Sequence, residues 1–352
     1  MRLTYERVAR LPLRVEKYSL EGRSHAHAGF DRHTTIVRLI GAGAEGVGED
    51  VVWDAQSQAR FRQAGAALPL AGSWTLDSFS ERLGSLELFP GREPSQAVYR
   101  NYRRWAFESA ALDLALRQAE QSIAQALERV PAPVRFVVSS GLGHPPTFEA
   151  CARRIAAYPR IRFKLDATPA WSAALIRDLA GSGAVEVIDF KGAYHGTVVD
   201  VGTDPVLYRS VAEGLPGTFL EDPDLTVAGA DAALVPHRDR ITWDAPIHSA
   251  EDIRRLPFVP AAVNMKPSRF GSLRALFEAY DFCAQEKIPT YGGGQAELGP
   301  GRGHIQILAA LFHPDAPNDV APSGYDWIDF PDDLPPSPLA PNLEPVGFAR
   351  KS

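Results

Sequence analysis

Apolar positions along this 352-residue chain change their spacing near residue 100. Before that point, LPLRVEKYSL and TTIVRLIGAGAEGVGEDVVW read as antiparallel strands with a Gly-rich turn, while DAQSQARFRQAGAAL and WTLDSFSERLGSL read as short helices. This predicts a small α+β unit. From Tyr102, YRRWAFESAALDLALRQAEQSIAQAL combines helical spacing with strong helix formers and predicts one helix leading into the next unit. Seven apolar runs of strand length follow: VRFVVSS, IRFKLDA, VEVIDF, GTFLEDP, RITWDAP, AAVNMKP and IPTYGG. Helical stretches such as PTFEACARRIAAY, AWSAALIRDLAG, DPVLYRSVAEG, SAEDIRRL and SLRALFEAYDFCAQEK lie between them. That alternation predicts an α/β fold, a modified TIM-like (β/α)-barrel with a smaller N-terminal α+β capping domain. The expected division is a cap over 1–101, a barrel over 102–317, and a proline-rich tail over 318–352 packing on the surface.

Composition narrows the functional classes. A hydrophobic content of 45% over this length provides for a sizeable core. The net charge of −6 comes without any basic tract interleaved with aromatics, which argues against nucleic acid as a partner. MRLTYERVARLPL has no apolar signal-peptide core, and no run is long enough to span a bilayer, so a cytoplasmic location without a membrane partner is expected. Cys151 and Cys283 stand far apart in helix-like segments and are expected to be buried free thiols.

The chemistry concentrates at strand ends. Asp189 closes VEVIDF, Glu221 lies in GTFLEDP, Asp244 in RITWDAP and Lys266 in AVNMKP, at separations of 32, 23 and 22 residues. Each separation accommodates a strand, a helix and two loops. In a parallel barrel the C-terminal strand ends carry the chemistry, so three carboxylates there form an oxygen-rich pocket suited to a hard divalent cation such as Mg²⁺. A lysine on the next strand end is placed to move a proton beside it.

Taken in order, these segments resemble the enolase superfamily, and within it the muconate lactonizing enzyme and mandelate racemase branches. The resemblance rests on GVGED at Gly46 to Asp50, ESAALDLALRQ, FLEDP, NMKPSRFGSL at Asn264 to Leu273, and AELGPGRGHIQILAAL. It implies Mg²⁺ held by Asp189, Glu221 and Asp244, a small carboxylate substrate, and removal of its α-proton, with Lys266 as base or cationic stabiliser. The superfamily's known pattern is a lysine or histidine base working with magnesium. It further implies that His25 and His27, with His33, lie in a loop closing over the site. Lys164 is read as holding a substrate carboxylate or the neighbouring carboxylates rather than moving protons, and Glu297 and Arg302, in GGGQAELGPGRGH, flank glycines that let backbone approach a substrate; a phosphate cradle is the rival there, without the P-loop lysine and serine pattern. A homo-oligomer is also expected.

Two positions depart from the lactonizing pattern. The second strand, where that branch carries lysine, any residue, lysine, reads Lys164, Leu165, Asp166; the third, where it carries Asp, any residue, Asn, reads Asp189, Phe190, Lys191. Strand side chains alternate, so 164 and 166 share a face, as do 189 and 191. Either Lys191 takes over as the displaced base, oriented by Asp166, or the two form a structural ion pair. Loss of the second-strand lysine argues against racemisation by two opposed lysines. It leaves a one-base elimination of the o-succinylbenzoate synthase kind, or a cycloisomerisation. A catalytically silent relative with a ligand-binding or structural role is the alternative.

Overall fold

Three antiparallel strands, β2 (Lys17–His27), β3 (Phe30–Gly41) and β4 (Ala44–Asp50), form the sheet of the cap in a computed structural model. It describes residues 3–27, 30–194, 196, 200–325, 327 and 329–351. A second pair, β1 (Pro12–Val15) with β5 (Gly72–Thr75), completes the small unit. Along β3, Val37 and Leu39 are buried while Arg38 faces outward to Glu21 and Glu45, the alternation of a half-buried strand. The segment RSHAHAGFDRHTT was expected as a loop, but its polar and β-forming residues extend the hairpin instead. Ser24 pairs with His33 and His25 with Arg32, up to His27 opposite Phe30.

Helix Tyr99–Gln118 packs against β4. The two glycines of GVGED make this contact possible: a Cβ on Gly46 would lie 2.3 Å from Ala110 O, and one on Gly48 2.0 Å from Ala106 O. The single long helix expected through Leu127 is broken. Ala119 ends it, Glu120 adopts φ 52°, and Ser122 opens a separate turn, Ile123–Leu127, through a capping box with Gln125.

The barrel strands are β6 (Val138–Ser140), β7 (Phe163–Asp166), β8 (Val185–Asp189), β9 (Phe219–Glu221), β10 (Ile241–Trp243), β11 (Ala262–Met265) and β12 (Thr290–Gly292). All seven fall within the runs read from the sequence. They are parallel and paired in chain order, each preceded by helical segments that cover the outer face, which is why most strand positions are buried. The gap between β12 and β6 is bridged by residues counted with the tail: Asn318 pairs in parallel with Phe136, and Asp319 with Gly293. The Asn318 amide donates to Arg135 O, His313 O and Ala316 O, and its Oδ1 accepts from Gly292 N at 2.7 Å. Beyond it the tail does more than lie on the surface. Val320 and Phe348 are fully buried, and Leu339 pairs with Val134. Cys151 and Cys283 are buried free thiols, as expected. Among the described residues, no helix is long and apolar enough to cross a membrane.

Candidate active site at the barrel mouth

Strand register brings the charged side chains together. Asp166 is level with Asp189, Asp189 with Glu221, and Glu221 with Thr242, so three carboxylates share one rung at the C-terminal end. Asp244 lies two residues beyond Thr242 and therefore sits further out. Asp222 turns inward on a left-handed backbone, φ 48°, and receives the amides of Asp244 and Ala245 at 2.8 Å each. Among the described residues, the group whose ligand atoms all lie within 4.8 Å of one another is Asp189, Glu221 and Asp222. Asp244, expected as the third ligand, is not in it.

Asp166, Asp189, Glu221 and Asp244 each meet a cation. Lys164, almost fully buried, is wedged between Glu221, which it bonds, and Asp189 at 3.2 Å. Lys191 contacts Asp189 Oδ2 at 2.6 Å and Asp166 Oδ1 at 3.1 Å. Lys266 donates to Asp244 Oδ2 at 2.7 Å; Arg269 reaches the same oxygen at 3.3 Å and Tyr194 OH at 2.6 Å. Tyr291, from β12, donates to Glu221 Oε2 at 2.7 Å, and Asn264 contacts Oε1 at 3.4 Å.

The protonation states follow from this arrangement. Burial alone would lower Lys164 and Lys191, but Glu221 and Asp189 beside the first, and Asp166 and Asp189 beside the second, hold both well above the usual lysine range. Burial works to raise Asp189, and Lys191 and Lys164 overcome it, leaving the carboxyl below its usual value. For Asp222, burial, then the charges of Asp244, Asp189 and Glu221, push the carboxyl up to about 8. Lys191 and Asp166 do meet, at 3.1 Å, a contact common to both accounts of the Lys–Asp exchange.

The donors of the carboxylate set are hard oxygens, which suit a divalent cation. Asp244 Oδ1 is buried without a hydrogen-bond partner. Both Asp189 oxygens, by contrast, are engaged by Lys191, through its backbone amide at 2.9 Å and its ammonium. The site fits a dication provided that this ammonium moves aside.

The cap closes the approach from the other side. Arg32, 1% exposed, donates to the carbonyls of His33, Val51, Val52, Gln295 and Ala296 and stacks 4.1 Å over Trp53, tying the hairpin to the turn after β12. Glu49 of GVGED accepts the amides of Leu298, Gly299 and Gly301 at the start of helix Pro300–Phe312. Next to this joint a cavity of about 150 Å³ is lined by Arg23, His25, Glu297, Arg302 and Trp327. His25 stacks on Trp327 with ring centroids 4.9 Å apart, and Arg302 approaches Glu297 at 3.8 Å. The side chain of His27 lies outside the described residues. Sequence reading singled out Glu297, Arg302 and His25. It did not single out Asp222, Tyr194, Tyr291, Arg269 or Arg32, whose types carry no signal until tertiary folding places them.

Comparison with known proteins locates the chain among relatives. Residues 6–126 and 130–327 match the N- and C-terminal domains of a family described as domain of unknown function DUF8230. An o-succinylbenzoate synthase of Geobacillus kaustophilus is 27% identical over 241 residues, which are 64% of this chain and 60% of that protein. An N-succinylamino acid racemase of an Amycolatopsis species is 30% identical over 243 residues, 65% of this chain and 63% of that protein. The match thus spans about six-tenths of the length of both curated relatives. The solved structure of a probable mandelate racemase from Alicyclobacillus acidocaldarius superposes with a TM-score of 0.66 at 20% identity, covering 96% of this chain and 91% of that one.

Proposed function

Since the chain belongs to the DUF8230 family and is a divergent member of the enolase superfamily, of the muconate lactonizing and mandelate racemase type, we propose that its barrel mouth removes the α-proton of a small carboxylate substrate. The reaction class is a lyase or isomerase, either a one-base elimination of the o-succinylbenzoate synthase kind or a cycloisomerisation. Asp189 and Glu221, with Asp222 or Asp244, would hold Mg²⁺. When bound, that ion meets the negative charge developing on the substrate carboxylate, in a site with little water to screen it.

The observation that carries the reading is the difference among the three lysines. Lys164 and Lys191 each lie between two carboxylates and serve as charge-balancing cations. Lys266 pairs with one aspartate, Asp244, and lies against Gly293, where a Cβ would come within 2.7 Å of its Cε. It is the lysine paired with a single carboxylate, and we assign it the proton transfer. Lys164 orients Asp189 and Glu221, Arg269 and Tyr194 hold Asp244, and Arg23, His25, Glu297 and Arg302 select the distal part of the substrate. A single base favours retention or elimination over inversion, which needs a base on each face. The same reading gives a cytoplasmic homo-oligomer without nucleic-acid or membrane partners.

The test is a screen of acid sugars, dipeptides and N-acylated amino acids with Mg²⁺, followed by nuclear magnetic resonance. Turnover abolished by Glu221→Gln in a folded protein supports the reading, and absence of turnover across the panel counts against it. The second reading, a catalytically silent relative, draws on one observation: in-chain donors engage both oxygens of Asp189 and of Glu221.

A further inference from the structure

Lys191 is built into its position more firmly than a chance surface lysine. It has φ 56°, a left-handed conformation uncommon for a residue with a Cβ, at the turn directly after β8. The turn is held by Gly192, whose amide donates to Asp222 O at 2.8 Å and where a Cβ would meet Asp224 N at 2.2 Å. That backbone folds the lysine over Asp189, so one residue grips both oxygens of one carboxylate, by amide at 2.9 Å and by ammonium at 2.6 Å. The Tyr194 ring flanks the ammonium at 5.4 Å from its centroid. A second acceptor waits on the outer side. Asp166 Oδ1 is 3.1 Å away on a side chain 42% exposed, whereas Lys164 on the inner side is sealed at 2%.

We propose that Lys191 is a tethered counter-ion that occupies Asp189 in place of a divalent cation, and that it moves onto Asp166 when the cation binds. This rests on the metal part of the functional reading. Asp189 Oδ2 already meets two ammonium groups, Lys191 at 2.6 Å and the sealed Lys164 at 3.2 Å, so a divalent cation would be a third positive group there and binding displaces the more exposed of the two. Asp166 is the berth that makes the exchange possible, which accounts for a carboxylate and a lysine occurring together on neighbouring strands. The consequence is weak cation affinity together with a metal-free fold that does not lose its charge balance.

The exchange is measured by calorimetric titration of the full chain with Mg²⁺ alone, with thermal melting in chelator alongside. Lys191→Met is expected to bind Mg²⁺ at least tenfold more tightly than wild type and to melt at lower temperature in chelator, regaining stability on Mg²⁺ addition. Lys191→Arg keeps the charge, and no tightening is expected. Asp166→Asn is expected to weaken binding several-fold in the wild-type background and to have no effect on top of Lys191→Met. Asp166→Asn in the wild-type background tests the berth by itself if Lys191→Met fails to fold, unchanged Mg²⁺ affinity overturning it. Equal Mg²⁺ affinity in wild type and Lys191→Met overturns the exchange while leaving the metal reading intact. Absence of binding to both overturns the two together.

Discussion

Acidification should open the barrel seam through His313. Its ring lies buried between Tyr280 OH, 2.9 Å from Nε2, and Asn318 Oδ1, 2.6 Å from Nδ1. The Asn318 amide nitrogen donates to three carbonyls, which leaves Oδ1 as acceptor; Nδ1 therefore carries the proton, and Nε2 accepts from Tyr280. Burial lowers this histidine from its ordinary 6.5 to about 4, with the hydrogen bond to Asn318 opposing the shift. The folded value lies below the unfolded one, so the stability contributed is fully present above pH 6.5 and is lost as pH falls towards 4. A gap of that size corresponds to about 3 kcal/mol in total, of which about 2 kcal/mol is gone by pH 5. The assay is urea unfolding of wild type and His313→Gln at intervals from pH 8 to pH 4.5. His304, lowered to about 3 by burial beside Phe348, titrates in both proteins and cancels in the difference. The advantage of wild type over the variant should shrink by about 2 kcal/mol between pH 7.5 and pH 5. An advantage constant with pH would refute the assignment of a buried neutral ring.

Two further changes probe the cap. Gly48→Ala places a methyl 2.0 Å from Ala106 O and forces helix Tyr99–Gln118 away from β4; a loss of about 3 kcal/mol or more is expected in thermal or urea melts, since backbone rather than a flexible side chain must yield. Arg32→Met removes donors to five backbone carbonyls on the cap and on the turn after β12. It should cost about 3 kcal/mol and raise amide exchange in residues 293–297 before it affects the barrel strands, because a buried acceptor left unpaired is penalised individually.

The strands were legible because each carries an unbroken apolar run between turn residues, and seven such runs separated by helices leave little choice of architecture. The acids were legible because Asp189, Glu221 and Asp244 terminate those runs. What periodicity cannot carry is depth along the barrel axis. Whether Asp222 or Asp244 joins Asp189 and Glu221 depends on inter-strand register, and the register places Glu221 opposite Thr242. The closing segment at Asn318 was hidden for a related reason: a two-residue pairing held by one asparagine side chain has no alternation to detect. The break after Gln118 occurs among good helix formers and is recognisable chiefly by the Ser122 capping box. His25 and His33 lie in a hairpin stabilised by its ladder, where the resemblance implied a loop.

Hydrogen–deuterium exchange at the substrate α-carbon addresses the central claim most directly, since it registers proton removal without net turnover. In heavy water with Mg²⁺, at least one acid of the panel should gain deuterium next to its carboxylate with wild-type protein, and the signal should fall at least a hundredfold with folded Lys266→Ala. Exchange that survives in Lys266→Ala, or none with wild type under conditions where Mg²⁺ is bound, would contradict it.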